Sequence, residues 1–178
     1  MNAILTAEEI LTSYKTQFQK GLEETRLETF TTGIKKTEIR HLWIRITKEI
    51  FKDCIRHLFT FTPEPHFTVA SGYDLGETIE LVYHFSLFQG HREQEISINF
   101  IVPLQKSDPS LETITDLFPG ALISEQEKQE MLGVTIIGIP VNTRVFISDD
   151  FPKDVYPWRR DETGPQRHIR NLHEVKKP

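Results

Sequence analysis

The chain has 178 residues, enough for one domain or for one domain with an appendage. Apolar residues make up 38% of it and twelve are Phe, which supports one real core and excludes global disorder. Its formal net charge of −5 argues against a nucleic-acid binder, which needs a basic surface to neutralise phosphates.

At the start, Met1-Asn2-Ala3-Ile4 has neither a basic stretch nor a long apolar one, so no secretory signal is expected and the cytoplasm is the expected compartment. Thr6 and Glu9 form a capping box for a helix whose face is Ile10, Leu11, Tyr14 and Phe18. Leu42, Ile44 and Ile46 alternate with His41, Trp43 and Arg45, the pattern of a half-buried strand. A second helix is predicted from Thr47, with Ile50, Phe51, Cys54, Ile55, Leu58 and Phe59 at helical spacing and Pro63 beyond its end.

Phe67, Val69 and Tyr73 then lead into the turn Asp74-Leu75-Gly76. Ile79, Leu81, Tyr83, Phe85 and Leu87 alternate strictly, as do Ile96, Ile98, Phe100 and Val102. Period-2 alternation with short turns predicts an antiparallel meander with one face on the core. Helices are available to cover that face, so the expected class is α+β: an antiparallel sheet with helices on one side.

Residues 110–118 are predicted as a short helix stopped at Pro119-Gly120. Ser124-Glu125-Gln126-Glu127 reads as a second capping box, opening a helix that ends at Gly133. The longest apolar run, residues 134–141, is far short of the roughly 20 residues a spanning helix needs. From Ser148 onward prolines and charges dominate. Residues 156–178 carry +3 and the preceding 155 residues carry −8. The expected organisation is a domain over 1–147 and an extended, partner-binding arm over 148–178. The arm's apolar residues, among them Phe151, Val155, Ile169, Leu172 and Val175, are too sparse to offset roughly 1–2 kcal/mol of backbone entropy per ordered residue. It is therefore expected to be mobile until a partner orders it, and truncation after Pro152 to leave the body folded.

Signals for chemistry are weak. The single cysteine, Cys54, lies on an apolar stripe and reads as a buried, inert thiol. An iron–sulfur cluster or a structural zinc site wants about four Cys or His ligands, and His84, His91, His168 and His173 have no ligand spacing. No glycine-rich phosphate loop is present. Ser86 and Ser97 fall on the polar side of strands, and Asp149-Asp150 reads as a solvated turn. Glu127 and Glu130, three apart, share a helix face, and paired carboxylates can perform acid–base hydrolysis. The same face could instead pair with Arg144, Arg159 or Arg160 and fix the arm.

The stretch from Ser110-Leu111 through Asp116-Leu117-Phe118-Pro119-Gly120-Ala121 to residues 125–134 resembles the NuoC-like family of NADH dehydrogenase subunits. That family shows S-x-T-D-x-F-P-G-A followed by E-R-E-x-x-D-x-F-G-I. The likeness continues through Gly138-Ile139-Pro140, Arg144, Asp149-Asp150-Phe151-Pro152 and residues 156–161, and begins upstream at residues 80–87. It implies an α+β subunit of the peripheral arm of a respiratory dehydrogenase or of an energy-converting [NiFe] hydrogenase. Such a subunit is not an enzyme by itself and has no cofactor of its own. Its implied partners are the large (NuoD-like) subunit and the iron–sulfur subunits, which hold the iron–sulfur clusters and, in a hydrogenase, the [NiFe] centre. Gln126 replaces the family's central Arg, Glu130 its Asp, and Ile139 and Tyr156 its two His before proline. These departures favour the ferredoxin-linked, ion-translocating hydrogenase branch over a respiratory NADH or quinone-linked dehydrogenase. Residues expected at the partner interface or anchoring the arm are Glu125, Glu127, Glu130, Arg144, Tyr156, Trp158, Arg159, Arg160 and Asp161. The implied location is the inner face of the cell membrane, reached through partner subunits. A reading from another class is a free-standing small hydrolase using Glu127 and Glu130.

Overall fold

A computed structural model describes residues 4–168, apart from Arg92. The first helix, α1 (Ala7–Gln17), is capped as its sequence dictates. Thr6 Oγ1 accepts from the Glu9 amide at 3.2 Å, and the Glu9 carboxylate accepts from the Thr6 amide at 2.8 Å. A hairpin of β1 (Leu22–Thr32) and β2 (Thr37–Ile46) follows. The apolar stripe after Thr47 forms α2 (Phe51–His57), with a single 3-10 turn at each end where a longer regular helix was expected. Next come β3 (His66–Asp74), β4 (Thr78–Leu87) and β5 (Ile96–Gln105).

The α+β class holds, and β3, β4 and β5 form the expected antiparallel meander. The sheet as a whole is mixed, however. Its order is β1-β2-β5-β4-β3, and β2 runs parallel to β5 with Leu42 beside Ile98 and Ile44 beside Phe100. β1 has no counterpart in the sequence reading. Its residues LEETRLETFTT lack an apolar alternation because, as an edge strand, it buries no side chain fully.

The core lies between the helices and one face of the sheet. Leu42, Ile44, Leu81, Tyr83, Phe85 and Phe100 point there and are buried, each contributing roughly 1.5–3 kcal/mol by leaving water. Tyr14 of α1 meets Phe100 at 5.5 Å between ring centroids, and Phe51 of α2 meets Tyr83 at 4.7 Å.

Beyond β5 the chain departs from expectation in two places. Residues 110–118 are not a helix: β6 (Ser110–Glu112) pairs in parallel with β7 (Thr135–Ile137), and turns follow. Pairing with β7 and a buried carboxylate under residues 113–114 override the helical spacing of Leu111, Ile114 and Phe118. The helix α3 (Ala121–Leu132) starts three residues before the predicted capping box, with Gly120 as its N-cap and no side-chain cap. Ser124 is thus inside the helix, whereas the end at Gly133 is as expected, in the left-handed conformation at φ +65°.

α3 lies against β3 at Gly72. A Cβ there would stand 2.6 Å from Leu132 Cδ1 and 3.0 Å from Leu81 Cδ2, so only glycine lets the helix approach so closely.

Candidate partner-binding site

α3 buries charged and polar side chains where a helix of this kind usually buries apolar ones: Glu125, Gln126 and Lys128 are all buried. Each organises chain that has no regular structure of its own. The Glu125 carboxylate accepts from the Ile114 amide at 3.0 Å, the Thr113 hydroxyl at 2.5 Å and the Tyr83 hydroxyl at 3.3 Å. Burial pushes its pKa above the usual carboxylate range, and those hydrogen bonds hold the rise in check. The next residue, Gln126, donates to the carbonyl of Val141 at 2.9 Å, and one turn on from Glu125, Gln129 donates to Asn142 Oδ1 at 2.9 Å while accepting from the Ile136 amide at 3.0 Å.

Glu130 completes this series. Its carboxylate accepts from three successive amides, those of Val145, Phe146 and Ile147, at 2.5, 2.9 and 2.8 Å. Arg144 donates to the carbonyls of Ser148 and Phe151 at 3.2 and 3.3 Å, closing the next bend. The segment from Val141 to Phe146 is thereby fixed with Val141, Val145 and Phe146 exposed. A groove of about 440 Å³ lies between it and α3, bordered by Glu130, Arg144, Ile147, Lys153 and Tyr156.

The C-terminal end of α3 is finished by the chain that follows. A helix leaves its last carbonyls without partners. Here Met131 O accepts from the Trp158 amide at 3.0 Å and Leu132 O from Arg159 Nε at 2.6 Å, while Gln129 O accepts from the Gly133 amide at 3.0 Å. A guanidinium at this end also complements the helix dipole. Arg159 is buried and stands over the Tyr156 ring at 5.6 Å, and Lys128 stands over the Trp158 ring at 5.0 Å.

A second fastening lies a few residues on. Lys106 donates to Asp161 at 2.5 Å and to Asp74 at 2.9 Å, and Asp74 also accepts from the Arg160 amide at 2.8 Å. Burial alone would raise both carboxyls, but the hydrogen bonds from Lys106 and the neighbouring amides outweigh it and hold both below the usual range. Burial likewise opposes the Lys106 ammonium, and its two carboxylate partners raise it all the same.

The predicted residues therefore fall in two connected groups: Glu125, Glu130 and Arg144 order the loops beside α3, and Tyr156, Arg159, Arg160 and Asp161 tie residues 156–164 to the body. Trp158 keeps 42% of its surface exposed. The expected ion pairs between the glutamates and Arg144, Arg159 or Arg160 do not form among the described residues. Glu127 pairs with its neighbour Lys128, and Glu130 is taken up by backbone amides. Neither carboxylate is poised for hydrolysis. Sparse apolar residues predict a loosely held arm; residues 156–164 are instead fastened to the body by hydrogen bonds and ion pairs. The arm's remaining apolar residues, Ile169, Leu172 and Val175, lie outside the described residues. Lys106 and Asp74 carry no sequence signal because Asp161 and the Arg160 amide are distant in the chain, and Lys128, though paired with adjacent Glu127, meets the Trp158 ring only in the fold. Gly72 did carry a signal, a glycine inside a strand pattern.

No group of His, Cys, Asp and Glu among the described residues is arranged to hold a metal ion. Burial, aided by Asp53, pushes the Cys54 thiol up to about 12. None of the described helices is long and apolar enough to cross a membrane.

Residues 44–168 match the family described as the respiratory-chain NADH dehydrogenase, 30 Kd subunit. The chain is 33% identical over 131 residues to the membrane-bound hydrogenase subunit beta of Pyrococcus furiosus, covering 73% of this chain and 75% of that one. It is also 33% identical over 92 residues to the C subunit of the NADH-quinone oxidoreductase of Moorella thermoacetica, covering 52% and 58%. Among solved structures, it shares its fold with a chain of the membrane-bound sulfane sulfur reductase, an archaeal respiratory membrane complex. That likeness has a TM-score of 0.62 and 20% identity, over 95% of this chain and 88% of that one. A trypsin-resistant fragment of Nqo5 gives a TM-score of 0.56 and 21% identity, over 75% and 97%. The chain belongs to the family of the respiratory-chain NADH dehydrogenase 30 Kd subunit, and is a subunit of an oxidoreductase complex of the membrane-bound hydrogenase or NADH-quinone oxidoreductase kind.

Proposed function

We propose that the chain is a non-catalytic structural subunit in the peripheral arm of an energy-converting, ion-translocating [NiFe] hydrogenase linked to ferredoxin, where it packs on the large subunit. The observation that carries this reading is the extent of the hydrogenase likeness: at the same 33% identity it spans 73% of the chain, against 52% for the respiratory relative. The replacement of the family's central Arg by Gln126 points the same way. The contact surface is the arm from Ser148 onward together with the ordered segment before it. Trp158, Val145 and Phe146 are exposed there on backbone that α3 holds fixed, and exposed aromatics on a rigid frame are typical anchors of binding energy. Iron–sulfur clusters and the [NiFe] centre reside in the partner subunits, and the complex holds this chain on the cytoplasmic side of the membrane.

Affinity purification through this chain from detergent-solubilised membranes tests the reading. A large subunit with nickel and ferredoxin-dependent hydrogen evolution is the expected result. A complex that oxidises NADH with quinone and contains no nickel reassigns the chain to the respiratory branch. Recovery of the chain alone, with hydrolase activity lost in a Glu127→Gln, Glu130→Gln variant, overturns the proposal.

A further inference from the structure

Pairing of β1 with β2 continues to Thr32 and Thr37, but pairing of β2 with β5 starts only at Arg40 and Ile96. The last three pairs of the hairpin, Phe30–Ile39, Thr31–Glu38 and Thr32–Thr37, therefore run about 10 Å past the third strand before the turn at residues 33–36. Of residues 30–39 only Thr37 is partly buried. Two strands with no third beside them are marginal in water, and this finger adds nothing to the core.

Its tip is not that of a plain turn. The Lys36 amide donates to the Gly33 carbonyl at 3.1 Å, which puts Ile34 and Lys35 at the two central positions. Such positions are dominated by Gly, Pro, Asn, Asp and Ser. Ile34 is fully exposed (103%), and the cross-strand pair Phe30 and Ile39 is exposed behind it. Lys36 takes φ +50°, where Gly or Asn would sit with less strain. Strained backbone and an apolar side chain at the farthest point of the fold, with no gain in packing, are the marks of a functional element.

Charge decides what the tip meets. Glu38 is taken by Arg40 at 3.1 Å, whereas Lys35 and Lys36 make no ion pair with a described residue. On a chain of net charge −5 this tip is a basic exception, and it attracts carboxylates. An anionic membrane is the poorer match, since two lysines fall short of the roughly four to eight basic residues of a lipid-binding cluster. A second copy fits no better. Meeting tip to tip brings four lysines together, and a tip seated elsewhere on a copy makes a head-to-tail contact that propagates unless it closes into a ring.

The finger also lies apart from the surface built on α3. It stands at the β1 edge, where β5 begins, whereas Asp74 and Lys106 fasten the C-terminal segment at the β3 side, where β5 ends. We propose that the β1–β2 tip is a second docking element, whose Ile34 seats in an apolar hollow of a partner subunit while Lys35 and Lys36 meet carboxylates on the rim of that hollow.

This inference rests on the reading of the chain as a complex subunit. A photo-crosslinking side chain at position 34 of the full-length chain, with one at exposed Val145 as reference, tests the two separately in the complex purified through it. The expected product joins position 34 to another subunit, at a peptide with apolar residues beside Asp or Glu. A Lys35→Glu, Lys36→Glu variant, altered only at exposed positions, should melt normally and lower that yield at least about fivefold, with the yield from position 145 unchanged. A yield indifferent to the charge reversal, or a product with lipid or with a second copy of this chain, overturns the inference and leaves the proposed function intact. So does a recovered complex in which position 34 gives no product. If no complex is recovered, the functional reading fails and this inference fails with it.

Discussion

The ring of Tyr156 occupies the space where a side chain on Gly133 would begin: a Cβ on Gly133 would lie 2.5 Å from Tyr156 Cζ. One glycine therefore ends α3 in the left-handed conformation and seats Tyr156, the aromatic that opens the fastened stretch 156–164. Gly133→Ala should lose about 2–3 kcal/mol, part from backbone strain and part from the displaced ring. Adding Tyr156→Ala should return only the steric part, so a double-mutant cycle of urea midpoints separates the two.

Arg159→Ala strips the Leu132 carbonyl of its buried partner and should cost about 1–3 kcal/mol. Arg159→Lys should not rescue it, because an ammonium lacks the planar fork that reaches Leu132 O while stacking on Tyr156. By the same reasoning a chain truncated after Pro152, which loses both the Trp158 and Arg159 caps, should melt several degrees lower, at roughly 2–4 °C per kcal/mol. An unchanged transition would mean that water replaces these caps without penalty.

Acid should loosen the same region. Asp74 and Asp161 are held below the usual carboxylate range, so their contribution is complete above the unfolded value of about 3.9 and is lost as pH falls through the lower folded values. Lys106 is shifted upward, so its share persists to alkaline pH and fades only beyond about 10.4. Lys106→Met should lower stability at neutral pH and weaken the acid limb, leaving the part that the amide donors to Asp74 and the Thr163 donors to Asp161 maintain, as measured by urea midpoints from pH 2.5 to 7.

Glu125 has the opposite sign. Its pKa is raised by burial, so its contribution is fullest when protonated and declines as pH rises through the folded value. Glu125→Gln should therefore cost less at pH 7 than at pH 4. Glu125→Ala leaves the Ile114 amide and two hydroxyls without an acceptor and should cost about 2–4 kcal/mol at pH 4, falling toward pH 7 by the same difference as the Gln variant.

Cys54, with its thiol pushed up to about 12, should resist Ellman's reagent at pH 8 in the native protein. Its modification should keep pace with unfolding across a denaturant series. Rapid labelling of the folded chain would show that the core opens locally at α2.

The parts of this structure legible in the sequence are those specified by neighbours. The Thr6–Glu9 capping box, the alternation of β4 and β5 and the glycine after α3 each need only a few consecutive residues. β1 was illegible because an edge strand tolerates Glu and Thr on both sides. The parallel pairing of β2 with β5 leaves no local trace at all. Residues 110–118 misled because Leu111, Ile114 and Phe118 keep helical spacing, while the partners that decide their conformation, β7 and Glu125, come later in the chain. At the site, the acidic cluster of α3 stood out, but the division of labour within it did not. Glu130 serving three amides is settled by where the chain turns after Pro140, whereas Glu127 pairs within the helix with Lys128.

The strand order β1-β2-β5-β4-β3 also has a consequence in time. The inner edge of β2 waits for a strand that begins only at Ile96. As the chain leaves the ribosome at about 5–20 residues per second, the hairpin spends on the order of 3–10 s with its apolar side and one edge unpartnered. Closing so long a loop carries an entropic cost before any contact repays it. Leu42, Ile44 and Ile46 are thus the residues most exposed to misassembly during synthesis, and chaperone dependence of this subunit should be set by the interval between β2 and β5 and hardly at all by the stability of the finished fold.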